Sequence, residues 1–291
     1  MRLDGRRESS NVEDRRGMST GKKVGSGGIG GLIIAGILTL LMGGNINDVM
    51  QQVTNASAIN GTEQEEGQRE FTQEEQELAE FSKKILAGTE DVWSQVFREN
   101  GLGEYQAPTM VLYTGSTSTA CGQGSAQMGP FYCSGDQCLY IDLSFFSSMK
   151  RQLGADGDFA YAYVIAHEVG HHVEYLLGTL NKAHQQMSRM SEADANKISV
   201  RLELLADFYA GVWAHHDNKL FGSLEEGDLE EAIRCAQVIG DDYLQKKAQG
   251  YDIPESFTHG TSQQRMKWLK LGLQTGDIRQ GNTFQQSDRT L

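Results

Sequence analysis

No proline interrupts the run from Asp158 to Leu177, and apolar residues occupy most sides of the helix that it predicts. Asp156 and Asp158 offer N-caps and Gly178 a C′ residue, so the helix is expected over about 158–177 with a length of about 30 Å. A helix apolar nearly all round belongs inside a domain. This one nevertheless carries His167, Glu168, His171 and Glu174. Buried charge without partners is costly, so the run requires a compensating group. The order His167-Glu168-Val169-Gly170-His171 supplies one. Residues i and i+4 share a helix face, so both imidazoles reach one metal ion, and Glu168, about 100° further round, sits where it can take a proton from water.

A catalytic zinc site needs a third protein ligand and an open fourth position. A His six residues after His171 would place the chain in the H-E-x-x-H-x-x-G-x-x-H type, but Glu174 and Leu177 stand at the positions that type reserves for Gly and His. A second helical pattern, about 192–217, is opened by Ser191-x-x-Asp194 and spaced by Ile198, Leu202, Leu205, Tyr209 and Val212. Glu203 and Asp207 share a face of it, with the small residues Ala206, Ala210, Gly211 and Ala214 nearby, so this helix is expected to pack closely on the first. Glu203 is the leading third ligand, with Glu174, His184 and Glu192 the alternatives.

H-E-x-x-H followed about 30 residues later by E-x-x-x-D resembles the gluzincin type of metallopeptidase. That resemblance implies Glu203 as the third zinc ligand and Asp207 as the partner that hydrogen-bonds a ligand histidine, His167, and fixes its tautomer. The opening MRLDGRRESSNVEDRRG, the glycine-rich apolar segment after it, AHEVGHHVE, ELLADFYAG and FTHGTSQQR together resemble the bacterial neutral zinc metallopeptidase (YpfJ-like) family nearly end to end. The implied architecture is α+β: a mainly helical zincin-like domain with a small β-sheet, preceded by one transmembrane helix.

Residues 24–44 carry no charge over 21 positions, enough to span a bilayer, although eight of them are glycine. Seven basic and four acidic residues precede them, against 19 basic and 35 acidic after. The positive-inside rule then makes residues 1–23 a cytoplasmic basic tail, 24–44 an anchor, and the catalytic domain periplasmic or extracellular. A cleaved signal peptide ending at Ala56-Ser57-Ala58 and a buried soluble helix are the rival readings. Gly27, Gly31 and Ala35 form a small-residue stripe suited to helix pairing. Residues 45–71 read as a polar stalk, 72–276 as the metallopeptidase domain and 277–291 as a loose polar tail.

Within the domain, Thr72-x-x-Glu75 opens a helix ending near Gly88, and a second helix runs to about 99. Strands are expected at 109–114 and 139–145, the latter a candidate edge for pairing with a substrate backbone. Helices follow near 226–248 and 262–275, the last closed by Gly276. Cys121, Cys133, Cys138 and Cys235 allow three complete pairings, with 121–133 or 133–138 the local options and Cys235 free or paired.

The expected chemistry is zinc-dependent peptide hydrolysis. His167, His171 and Glu203 hold Zn²⁺, and Glu168 is the general base. His259 is a candidate donor to the developing oxyanion, with a helix cap or a surface position as its other reading; Tyr209 is a weaker candidate. His172, His184, His215 and His216 are assigned to surface or local hydrogen bonds, and Glu174 either supports the metal or is solvated. An acidic chain of pI near 5.0 lacks the basic stripe that nucleic acid needs, which leaves a peptide or protein as the expected partner. The rival function is a non-catalytic, zinc-stabilised binding protein tethered to a membrane. Oligomeric state, substrate and regulation leave no mark in the sequence.

Overall fold

The computed structural model describes residues 1–17 and 70–291. Strand β1 (Val12–Asp14) and helix α1 (Gln73–Glu99) precede five short strands: β2 (Thr109–Tyr113), β3 (Ser116–Thr119), β4 (Gly122–Ser125), β5 (Phe131–Cys133) and β6 (Cys138–Asp142). The remainder is helical: α2 (Ser144–Leu153), α3 (Asp158–Leu176), α4 (Thr179–Met187), α5 (Glu192–Phe221), α6 (Asp228–Val238), α7 (Asp241–Gln249) and α8 (Ser262–Thr275). The fold is therefore α+β and mainly helical. The main sheet runs β1-β2-β6-β5, parallel through its first three strands and antiparallel at β5; β3 and β4 form a separate hairpin.

Helix α3 lies at the centre, with nearly every residue from Phe159 to Glu174 buried. Its expected N-cap differs. Gly157 stands there in the left-handed region, and the Phe159 N–H donates to the Glu231 carboxylate of α6 at 3.1 Å. Helix α5 crosses α3 at close range because Gly170 lacks a side chain: a Cβ there would lie 2.9 Å from the Ala206 carbonyl oxygen. Gly211, also on α5, serves a different partner. A Cβ on it would meet the Leu269 carbonyl at 2.3 Å, and one on Gly272 would meet the Phe208 carbonyl at 2.1 Å, so α8 seats directly on α5. Trp93, Trp213 and Trp268 are fully buried around these helices. Burying each contributes on the order of 3 kcal/mol, the upper end for a large apolar side chain.

Several expectations change. Residues 73–99 form one helix, not two. Gly88 is needed for close approach rather than as a stop, since a Cβ there would lie 2.6 Å from Arg6 Nη2 and 2.9 Å from Asp217 Oδ1. Residues 226–248 divide into α6 and α7 at Gly240, where a Cβ would collide with Ser262. Strand β6 lies inside the sheet between β2 and β5, so the edge belongs to β5 instead of 139–145. The tail 277–291 is docked: Trp268 Nε1 donates to the Leu291 carbonyl at 3.1 Å, and Arg201 bonds the Thr283 and Gln286 carbonyls and Asp288.

The N-terminal segment is the largest change. Val12, Glu13 and Asp14 pair with Met110, Val111 and Leu112. Arg6 reaches Asp217 at 2.8 Å, Arg7 reaches Glu90 at 2.8 Å, and Arg16 donates to the Glu75 carbonyl at 2.8 Å while stacking 4.1 Å from the Phe71 ring centroid. Residues 1–17 are thus part of the domain. That packing departs from the expected tail of residues 1–23 set apart from the domain. The expected span at 24–44, with its Gly27/Gly31/Ala35 stripe, and nearly all of the stalk lie outside the described residues. Among those described, no helix is long and apolar enough to cross a membrane.

Candidate metal centre and catalytic cleft

The close crossing of α3 and α5 brings three candidate ligands together. One donor atom each from His167, His171 and Glu203 lie within 4.8 Å of one another, and all three residues are buried. His167 Nε2 is 3.1 Å and His171 Nε2 3.5 Å from opposite oxygens of the Glu203 carboxylate. His171 Nε2 is fully enclosed yet has no hydrogen-bond partner, which suits a lone pair meant for a cation. Two imidazoles and a carboxylate are a donor set of the catalytic zinc type, so these residues fit the ion.

The other ring nitrogens are engaged, which fixes the tautomers. His167 Nδ1 is 2.8 Å from Asp207 Oδ1, as expected, and His171 Nδ1 is 2.9 Å from Glu174 Oε2. Each N–H donates to a carboxylate, leaving Nε2 free for metal. Glu174 is thereby a support for the site and not a solvated residue; it is fully buried, and burial pushes its carboxyl up to about 7. For Asp207, burial acts in the same direction, but Arg265 and His167 outweigh it and hold the carboxyl at about 2.

Glu168 and His259 line a cleft with Gly129, Pro130, Phe145 and Val164. Glu168 Oε2 is buried without a hydrogen-bond partner, and burial raises its pKa above the ordinary carboxylate range. His259 is held from behind. Its Nδ1 faces Asp241 Oδ1 at 3.3 Å, and the backbone N–H groups of Thr258, His259 and Gly260 all donate to Asp241 Oδ2, at 2.8, 2.7 and 3.0 Å. Its Nε2 has no partner. The helix-cap reading of His259 fails, because Thr261 is the N-cap of α8. Asp241 and Arg265 were not legible as site residues, since each acts across the fold on a group 18 or 58 residues away.

Other histidines serve the frame. His172 is buried, its pKa pushed down to about 4 by burial; the Tyr132 hydroxyl bonds Nδ1 at 2.8 Å and Nε2 bonds the Gln106 carbonyl at 2.6 Å. This neutral ring ties the edge strand β5 to α3. His215 and His216 bond the Leu273 and Gly276 carbonyls, while His184 and Glu192 stand outside the ligand cluster. Tyr209 packs edge-on against Trp93 in the core. A Cys121–Cys133 disulfide secures β5, and Cys138 and Cys235 are free thiols.

Comparison with known proteins agrees with this geometry. Residues 1–284 match the model of the family described as "Putative neutral zinc metallopeptidase". The chain is 49% identical to the uncharacterized protein YpfJ of Escherichia coli K12, over 99% of this chain and all of that one. It is 40% identical to the uncharacterized protein Rv2575 of Mycobacterium tuberculosis H37Rv, over 63% of this chain and 64% of that one. No solved structure matches. With a family match over almost its whole length and a full-length relative at this identity, the chain belongs to the neutral zinc metallopeptidase family.

Proposed function

We propose that the protein is a zinc metalloendopeptidase in which His167, His171 and Glu203 hold the metal, Glu168 is the general base and His259 is the donor to the oxyanion. The observation that carries this reading is the pair of buried, unpartnered polar atoms, Glu168 Oε2 and His259 Nε2, lining the same cleft as the ligand cluster. Zinc in this donor set supplies Lewis acidity and lowers the pKa of water towards about 7. Glu168 accepts the proton at Oε2 and returns it to the leaving amine, a role that burial favours by raising its basicity. His259, oriented at Nδ1 by Asp241 and with its pKa raised against burial by Glu203 and Asp241, donates as the imidazolium from Nε2 where negative charge develops on the scissile carbonyl.

The substrate is a peptide backbone that pairs with the outer edge of β5. Gly129 and Pro130, which lead into that strand, line the cleft, and β5 is the antiparallel edge of the sheet. The rival reading, a non-catalytic zinc-stabilised binding protein, does not account for Glu168. A structural site needs its ligands but has no use for a buried carboxylate beside them.

Zinc content and hydrolysis of an unfolded protein substrate test the proposal on the full chain. Glu168→Gln is expected to keep one zinc and lose activity by about 10²–10⁴-fold. Glu203→Ala is expected to lose the metal. Full hydrolysis by Glu168→Gln removes Glu168 as the base; zinc in both proteins with cleavage by neither favours the binding protein.

Membrane association through residues 24–44 belongs to the same proposal, with residues 1–17 and the catalytic domain in one compartment. Single cysteines at Asp4 and Lys219, introduced separately into a Cys138→Ala background, report it by labelling intact and permeabilised cells with an impermeant maleimide. Both sites are expected to label alike. Labelling from opposite sides would separate the N-terminal segment from the domain.

A further inference from the structure

Arg265 belongs to no zinc motif in the sequence, yet its guanidinium is only 1% exposed and is directed at the support of a metal ligand. Nε donates to Asp207 Oδ2 and Nη2 to Asp207 Oδ1, both at 2.9 Å. Nη2 also lies 3.3 Å from the Tyr163 hydroxyl and 3.5 Å from His167 Nδ1; Nη1 reaches the Ile239 carbonyl at 3.4 Å. Since His167 Nδ1 carries a proton directed at Asp207, its approach to Nη2 sets two donors side by side on one acceptor.

We propose that Arg265 is a positioning residue for the metal centre: its fork fixes the plane and charge of Asp207, and through Asp207 the tautomer and ring angle of His167. The proposal rests on the zinc peptidase reading above. Asp207 Oδ1 receives three donors, from the Tyr163 hydroxyl at 2.5 Å, His167 Nδ1 at 2.8 Å and Arg265 Nη2 at 2.9 Å. A carboxylate oxygen offers about two lone-pair sites, so the angles of these three bonds depend on how the carboxylate is turned. Two parallel N–H···O bonds from a planar guanidinium fix that rotation; the three rotatable donors of an ammonium would not.

Charge pairing supports the same placement. Burying a guanidinium is costly unless it is fully paired, and Asp207 supplies the opposite charge at both Nε and Nη2. The contact between Gly211 and Gly272 seats α8 deeply enough for Arg265 to reach α5. The segment Thr258–Arg265 thus delivers both His259 and Arg265 to the centre, where both line the cleft and Arg265 holds Asp207.

The test reads zinc affinity of the full chain by competition with a chromophoric chelator, alongside thermal unfolding. Arg265→Lys is expected to fold and to bind zinc about 10–100-fold more weakly, the range for removing an outer support of a ligand. In an Asp207→Asn background the same substitution is expected to cost nothing more, because Arg265 acts through Asp207. A folded Arg265→Lys with wild-type zinc affinity overturns the proposal, and so do losses that multiply in the double variant. If Arg265→Lys does not fold, Asp207→Asn with Arg265→Met, which removes both buried charges, replaces it. Zinc affinity equal to that of Asp207→Asn alone supports the proposal, and a further loss overturns it. Failure of the wild-type protein to bind zinc would instead defeat the peptidase reading, and this inference with it.

Discussion

The two ligand histidines on α3 are backed by carboxylates that differ in almost every respect. Asp207 comes from another helix, accepts from His167, Tyr163 and Arg265, and is held at about 2. Glu174 comes from α3 itself, accepts from His171 alone, has a buried Oε1 without a partner, and is pushed up to about 7. Both receive an Nδ1 proton. Support from across the fold needs a countercharge to hold it, and α8 provides one. Support three residues along the same helix moves with its histidine and needs only local geometry. The site therefore has one ligand tied to the whole helical core and one tied to its own helix.

Asp207→Asn attacks this difference most directly. The new amide would set its N–H donors against those of Arg265 or His167, and Arg265 would lose its counterion. Breaking a buried pair this way is expected to cost about 3–5 kcal/mol in denaturant unfolding. At pH 7.5, Glu174→Gln is expected to cost far less, because the amide oxygen still accepts from His171 Nδ1 and the buried Arg265–Asp207 pair stays intact. Equal losses would mean that the two supports are energetically alike despite their surroundings.

A smaller effect lies in the pH dependence of the metal-free protein, where the two carboxyls act in opposite directions. The Asp207 pKa is depressed in the fold, so its contribution is present above its ordinary value of 3.8 and is lost as pH falls through about 2. The Glu174 pKa is raised, so its contribution is present below 4.5 and is lost as pH rises through about 7. Between pH 5 and 7.5, zinc-free wild type is expected to lose on the order of 2 kcal/mol from Glu174 alone. Glu174→Gln should flatten that slope in denaturant titrations at the two pH values. An unchanged slope would show that Glu174 is not the titrating group.

The sequence disclosed the part of this centre that lies on single helices. His167, Glu168 and His171 follow from i, i+4 spacing; Glu203 and Asp207 share a face of the next helical pattern, and the gluzincin resemblance implies their roles. The caps at Thr72 and Ser191 are local chemistry and read locally. Arg265 and Asp241 did not read, because nothing in the spacing of α8 or α7 says which carboxylate or histidine they face. The partners of the basic N-terminus are hidden for the same reason: Arg6, Arg7 and Arg16 pair with Asp217, Glu90 and Asp14. Gly88 reads as a helix end, yet it is the gap into which Arg6 fits. Composition identifies charge; only the fold says what the charge is paired with.

Tyr163→Phe is the finest probe of the same contrast. It removes one of three donors from Asp207 Oδ1 and leaves the Arg265 fork and His167 in place. The ring remains to fill its position in the core, and no buried acceptor is orphaned. A single hydrogen bond to a charged acceptor then sets the scale, about 1.5–3 kcal/mol, and relief of crowding at Oδ1 should bring the loss to the lower end. Unfolding measurements on the variant in both wild-type and Arg265→Lys backgrounds read the coupling. If the three donors act independently, the loss is the same in both. A larger loss once the arginine fork is gone would mean that Asp207 is held by a mutually dependent cluster, and the contrast with the singly supported Glu174 would be sharper than the individual distances indicate.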